Sequence, residues 1–176
     1  MKDIRKRKAL ASLLRSAGTL ILMAVFVLAV SPLILRLAGY EMYHIVSNSM
    51  EPAIPTGSLV VARKFTDTQT EIGELAGGDI IVYHIGERVI CHRIVSVEGL
   101  SVVTKGDASE ENDPGEVYHT QIEGKLVRIL PGMGKAYDFV STLSGRLLLL
   151  ALVFFIFALR KPVGRLELPK GTDGGK

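Results

Sequence analysis

Two serine hydroxyls, one imidazole and two carboxylates occur along the chain in an order that could support nucleophilic catalysis. Ser47 and Ser49 lie in the segment Ser-Asn-Ser-Met-Glu-Pro, His92 lies near the middle of the chain, and Asp107 and Asp113 share one polar segment. An alcohol nucleophile needs a base that titrates near neutral pH and an acid that orients this base. Histidine is such a base without strong tuning of its pKa. Residue types alone are a weak signal, because serines are frequent in the chain.

Other kinds of active site have little support in the sequence. The four histidines form no paired metal-binding pattern, and no glycine-rich phosphate loop occurs, so we expect neither a metal nor a cofactor. The four are His44, His84, His92 and His119. The only cysteine is Cys91, which excludes a disulfide scaffold. Strand alternation turns its side chain away from His92, which disfavours a thiol nucleophile.

The composition is ordinary on average and uneven along the chain. The protein has 176 residues, of which 48% are hydrophobic and 22% charged, and its net charge is +3. These values predict one folded domain, and they argue against disorder and against a strongly basic nucleic-acid-binding surface. The mean hydropathy of +0.32 is high, because apolar residues are concentrated towards both ends.

Two apolar runs are candidate membrane spans. Residues 16–35 carry no charge and match the roughly 20 helical residues that a bilayer core requires. Pro32 is expected to kink this helix, and the run is too long for the apolar core of a cleavable signal peptide. The second run, 147–159, reaches span length only if it is extended back to Phe139 past Arg146. Its alternative is a buried or interfacial helix.

The charge distribution predicts how these runs are oriented. Residues 1–16 carry a net charge of +5, residues 160–176 carry +3, and the segment between them carries −5. Because basic flanks remain in the cytoplasm, we expect a multi-pass protein of the cell membrane with both termini inside, an endoplasmic-reticulum location being less favoured. The predicted parts are a basic tail (1–15), a membrane helix (16–37), an extracytoplasmic domain (38–138), a second membrane helix (139–159) and a cytoplasmic tail (160–176).

The central segment has the pattern of a mostly β domain. Short β-rich runs at 43–46, 58–63, 79–85, 88–97, 100–105 and 121–130 are separated by glycine-rich and proline-rich turns. The spacing predicts an antiparallel barrel or sandwich. In the fourth run, alternation places Val89, Cys91 and Arg93 on the face that is the better core candidate. His92 then lies on the opposite, more polar face, where it could line a groove.

Four short segments, taken together, resemble the motif boxes of the type I signal peptidases, peptidase family S26. They are Ser-Asn-Ser-Met-Glu-Pro at 47–52, Gly-Asp-Ile-Ile at 78–81, His-Arg-Ile at 92–94 and Lys-Gly-Asp at 105–107. Their order and approximate spacing also match, and the resemblance covers about 45–114 and the N-terminal anchor. A histidine at the base position resembles the archaeal and endoplasmic-reticulum branch. The resemblance implies a mostly β catalytic domain on a membrane anchor.

The resemblance also implies a role for each site residue. Ser49 would be the nucleophile, with its own N–H and the Ser47 hydroxyl stabilising the oxyanion, and His92 would be the general base and later the general acid. Asp113 is the preferred third member and Asp107 a supporting residue, although the opposite assignment stays open. Lys105, a base in principle, is treated as structural.

The substrate implied by the resemblance is the signal peptide of an exported preprotein. It would pair as an extended strand with two exposed edges, formed by Tyr43, Ile45 and Val46 and by Val89, Ile90 and Cys91. The other expected partners are the lipid bilayer and possible membrane subunits or the translocon, but no nucleic acid. Two alternatives are a non-catalytic membrane-anchored β module, such as a scaffold subunit, and a regulatory or self-cleaving protease of the same clan.

Overall fold

The computed structural model describes residues 2–159, including the side chains of 16–27 and 29–157. The predicted cytoplasmic tail, 160–176, lies outside the described residues. Seven strands and four α-helices follow one another along the described chain. In chain order they are α1 (Lys2–Leu37), β1 (Tyr40–His44), β2 (Leu59–Lys64), α2 (Thr68–Glu71), β3 (Ile80–Ile85), β4 (Arg88–Glu98), β5 (Ser101–Lys105), β6 (Val117–Tyr118), β7 (Ile122–Leu130), α3 (Gly134–Ser141) and α4 (Leu143–Leu159).

The strands form one antiparallel sheet in the order β1-β2-β7-β3-β4-β5-β6. The prediction of a mostly β, antiparallel domain is therefore confirmed. The sheet is open, with β1 and β6 as its edges, where the sequence predicted a barrel or sandwich. Five predicted runs agree with observed strands to within one residue, whereas β1 begins at Tyr40 rather than at residue 43. The two-residue strand β6 was not predicted, because so short a run carries no detectable alternation.

Both faces of the sheet carry buried apolar side chains. One cluster includes Ile81, Tyr83 and Ile94, and the other is formed by Ile45, Met50, Ile54 and Val60. Ile80 packs against the second cluster although its neighbour Ile81 belongs to the first. Adjacent residues of a strand point to opposite faces, so each cluster covers one face of the sheet.

The predicted core face of β4 is wrong. Val89 and Val95 are about half exposed, whereas Ile94 is 1% exposed and belongs to a core cluster. Because the sheet is packed on both faces, alternation within one strand could not show which face is the more deeply buried. Cys91 still packs against the second cluster. His92 shares the face of Ile94 and is therefore close to the first cluster.

The apolar helices are both bent. Within α1, segments 16–27 and 29–37 meet at 40°, one turn before Pro32, whose missing N–H cannot bond to the carbonyl of residue 28. Segments 134–141 and 143–157 meet at 84°. In the part of the chain that the structure describes, no one helix has the length and apolar character of a membrane span, and only these two bent pairs reach them in combination.

A polar side chain explains why the predicted run 139–159 is not one helix. Thr142 has an extended backbone, and its hydroxyl accepts a hydrogen bond from the Gly145 N–H at 3.0 Å, which caps the start of α4. The guanidinium of Arg146 donates to the carbonyls of Val140 and Ser141 at the end of α3. The break thus satisfies the exposed groups of both helix ends.

Candidate active site

Ser49 lies on a tight turn that follows the extended chain after β1. The turn is anchored by Met50, which is 1% exposed. The loop before β2 supports the preceding residues, since Ile45 accepts a hydrogen bond from the Gly57 N–H at 2.8 Å and Ser47 O accepts one from the Thr56 hydroxyl at 3.1 Å. These contacts fix the main chain on which the serine hydroxyl is carried.

The hydroxyl of Ser47 contacts that of Ser49. Their Oγ atoms are 3.2 Å apart. Among the described residues, this is the side-chain hydrogen bond that Ser49 Oγ makes, and none joins it to His92. Hydrogen bonds between a catalytic nucleophile and its base are often long or absent before substrate binds. The Ser47 hydroxyl is close enough to donate to an oxygen that is bound beside Ser49.

His92 is held by Asp113. Its Nδ1 lies 2.6 Å from Asp113 Oδ2, and the same oxygen accepts hydrogen bonds from Thr104 Oγ1 at 2.7 Å and from the Tyr83 hydroxyl at 3.2 Å. Burial raises the pKa of Asp113, but the hydrogen bonds from His92 and Thr104 outweigh it, so the pKa lies below its ordinary value. Asp113 is thus an ionised acceptor that orients the imidazole.

Tyr83 stays protonated beside this pair. Burial raises the pKa of its hydroxyl to about 12, so it remains a donor at neutral pH. Its ring meets that of His92 edge to face, with centroids 6.4 Å apart. Tyr83 therefore restrains both members of the histidine–aspartate pair.

Gly106 brings His92 and Ser49 together. A Cβ at this position would lie 2.7 Å from Ser49 O and 3.1 Å from His92 Nε2, so the loop passes between these two groups in van der Waals contact with both. The Ala108 N–H donates to Ser49 O at 2.9 Å. The free nitrogen of the imidazole thus faces the turn that carries the serine.

Asp107 does not contact His92 but pairs with Arg93. The guanidinium donates to both carboxylate oxygens, at 2.8 and 2.7 Å, and to Gly78 O at 2.8 Å. Hydrogen bonding to Arg93 lowers the pKa of Asp107. Lys105 is the register partner of Arg93 and therefore lies on the face of the sheet opposite to His92.

A cleft of about 640 Å³ contains both serines and His92. Its walls are the chain after β1 and the first half of β4. The six residues proposed from sequence for substrate contact all line it: Tyr43, Ile45, Val46, Val89, Ile90 and Cys91. Residues 88–92 of β4 pair with β3 only, because pairing with β5 begins at Arg93. Both walls therefore expose unpaired main-chain groups to the cleft.

Burial raises the pKa of the Cys91 thiol to about 12. The thiol is therefore neutral near pH 7 and a poor nucleophile. Within residues 2–159, no group of three or more His, Cys, Asp or Glu side chains could hold a metal ion. The chemistry available in the cleft is that of the serine and the imidazole.

Sequence reasoning missed several residues that hold the site. Thr104 and Tyr83 on Asp113, and Arg93 on Asp107, are cross-strand or strand-to-loop contacts. They depend on register, for which the sequence offers no direct signal. The close approach at Gly106 could have been suspected from a glycine directly before an aspartate in a polar loop.

A serine beside a histidine–aspartate pair, in a cleft bordered by strand edges, is by geometry and residue type the arrangement of a serine hydrolase. A family model described as signal peptidase, peptidase S26, matches residues 15–123. The chain belongs to this family, the type I signal peptidases.

The chain is also similar to signal peptidase I W of Bacillus subtilis (strain 168). The two are 34% identical over 84 residues, which cover 45% of this chain and 42% of the relative. The chain thus matches less than half the length of this curated relative.

Proposed function

We propose that the protein is a membrane-anchored serine endopeptidase that removes N-terminal signal peptides from exported preproteins. The observation that carries this proposal is the His92–Asp113 pair, whose free imidazole edge faces the Ser49 turn inside a strand-edged cleft. Membership of the signal peptidase family supports the substrate class. A histidine base assigns the chain to the Ser/His branch of the family.

In the proposed mechanism, Ser49 Oγ attacks the carbonyl carbon of the scissile peptide bond as its proton passes to His92 Nε2. The Ser49 N–H and the Ser47 hydroxyl donate hydrogen bonds to the resulting oxyanion. The C–N bond breaks, and the leaving amine takes the proton from His92. Water then attacks the acyl-enzyme, with His92 again accepting a proton, and Ser49 is released with a new carboxyl terminus on the signal peptide.

The exposed strand edges favour an extended substrate. A peptide that enters between residues 43–46 and 88–92 would add its own main-chain hydrogen bonds to both edges, as in β-augmentation. The wall residues Ile45, Ile90 and Cys91 leave mostly apolar surface, which fits the small side chains that precede a signal-peptide cleavage site.

Two features favour a location at the outer membrane surface, with both termini in the cytoplasm. Side chains on α1 and α4 expose large apolar surfaces, including Leu20, Phe26 and Phe154, and such surfaces are typical of contact with lipid. β1 begins three residues after α1 ends at Leu37. The twelve residues from Leu37 to Ser49 span at most roughly 40 Å, which keeps the nucleophile near the membrane.

The test is cleavage of a preprotein by the purified full chain in detergent. We expect Ser49→Ala and His92→Ala each to lower kcat at least about 10³-fold, because each removes a group that acts on the reacting atoms. Lys105→Ala is the matched control, since it removes a base from the opposite face, and it should stay within a few-fold of wild type. An active His92→Ala with an inactive Lys105→Ala would replace this mechanism with a Ser/Lys one.

The same assay separates the alternatives. A scaffold subunit would cleave no preprotein and would not be labelled at Ser49 by a serine acylator. A self-cleaving protease would cut its own chain and leave the preprotein intact. Cleavage in trans that is lost in Ser49→Ala contradicts both.

A further inference from the structure

Helix α3 lies beyond residues 15–123, the part of the chain that the family model matches, yet it contacts the substrate cleft. The contact is made by His44, the last residue of β1, whose side chain lines the cleft and is only 15% exposed. His44 Nδ1 lies 2.6 Å from Asp138 Oδ2 in α3. The distance is that of a strong, charge-assisted hydrogen bond.

The first residue of α3 provides a second attachment. The Gly134 N–H donates to Gly57 O at 3.0 Å, and the Gly57 N–H donates to Ile45 O at 2.8 Å. A Cβ at Gly134 would overlap the His44 ring, so the helix approaches the imidazole as closely as a glycine allows. Helix α3 therefore reaches the wall of the cleft through two contacts, one to His44 and one through Gly57 to Ile45.

These contacts converge on the edge that the substrate would use. β1 pairs with β2 on one side only, so the other side of this edge is unpaired. A free edge strand loses conformational entropy when a peptide pairs with it, and prior rigidity lowers that cost. The attachments to α3 restrain Ile45 and Val46 without occupying their outward N–H and C=O groups.

We propose that α3 is a built-in support of the substrate-binding edge, with His44 and Asp138 as positioning residues for substrate binding. This inference rests on the proposed peptidase function. His44 and Asp138 act on the position of residues 43–46 and not on the reacting atoms, so their loss should raise KM and leave kcat unchanged. Because α3 leads through Thr142 into α4, the clamp also links an apolar helix to the cleft.

The experiment compares Asp138→Asn, His44→Gln and the double variant in the full chain. The matched control is His84→Gln, which breaks another histidine–carboxylate pair, to Glu123 at 3.0 Å, that does not line the cleft. We expect each clamp variant to raise KM about three- to tenfold with kcat within twofold of wild type. The double variant should resemble the single ones, since both break the same bond.

Amide hydrogen exchange supplies a readout that does not depend on activity. Asp138→Asn should speed exchange at residues 45–46 and at Gly57, whereas His84→Gln should leave these amides unchanged. Asp138→Glu, which keeps the charge, should restore part of the wild-type KM. Unchanged KM and unchanged exchange in Asp138→Asn, or a fall in kcat alone, would overturn the inference. If the wild type cleaves no preprotein, the proposed function fails, and exchange still decides whether the clamp holds the edge.

Discussion

At the scale of single residues, the site depends on two aspartates that the sequence could not distinguish by themselves. Asp107 and Asp113 share one loop, and both are held ionised by hydrogen bonds. Their partners differ: Asp113 contacts His92, and Asp107 contacts Arg93. Geometry therefore assigns Asp113 to orienting the imidazole and Asp107 to holding the loop against β4.

Asp113→Asn should lower kcat by about 10²- to 10⁴-fold, because an amide no longer fixes the tautomer and orientation of His92. KM should change little, since Asp113 does not line the cleft. The measurement is steady-state kinetics of preprotein cleavage at neutral pH. Because hydrogen bonds depress the folded pKa, Asp113 is already ionised there, and its stabilising contribution is lost only when the pH falls through that lower pKa.

Asp107→Asn is the informative comparison for this prediction. It breaks the paired hydrogen bonds to Arg93, so its main effect should be a lower melting temperature, with a smaller loss of kcat. The two aspartate assignments would be exchanged if Asp107→Asn lost activity as severely as predicted for Asp113→Asn while keeping its melting temperature.

At the scale of elements, the sequence predicted the strands better than the faces they present. Alternation located β4 to within one residue, because its branched residues and flanking turns are local signals. It chose the wrong face for the core, since both faces are packed and only pairing with β3 and β5 decides the burial of Ile94. The contacts of Thr104 and Tyr83 with Asp113 have the same origin in register.

The loop after β5 illustrates what pairing cannot provide and a glycine can. Gly106→Ala should lower kcat about tenfold or more, because its Cβ would push against Ser49 O and His92 Nε2 at 2.7 and 3.1 Å, and small displacements of reacting groups are costly. The measurement is kcat together with the melting temperature, to separate a displaced site from an unfolded one.

Gly73→Ala is the control for this loop prediction. Gly73 has no atom within 4 Å of its would-be Cβ and no left-handed backbone, so the variant should match wild type in both measurements. Wild-type kcat in Gly106→Ala would show that the close approach of the loop is not needed for catalysis.

At the scale of the whole molecule, net charge and apolar surface divide the chain in the same way. The basic segments 1–16 and 160–176 flank an intervening segment of net charge −5, and the exposed apolar side chains lie on α1 and α4, next to these ends. The sequence could predict this division because charge and hydropathy are additive along the chain. It could not predict the bend at Thr142, which depends on one hydroxyl capping α4.

Cysteine accessibility tests the proposed topology. With Cys91→Ala as background, a membrane-impermeant maleimide should label Glu87→Cys, in the exposed β3–β4 turn, in intact cells. Lys8→Cys and Lys170→Cys should be labelled only after permeabilisation, because basic flanks remain in the cytoplasm. Each variant should retain preprotein cleavage, which controls for inverted or misfolded protein. Labelling of Lys170→Cys in intact cells would show that α4 does not cross the bilayer, and the bend after α3 would then turn this helix along the membrane surface beside the cleft.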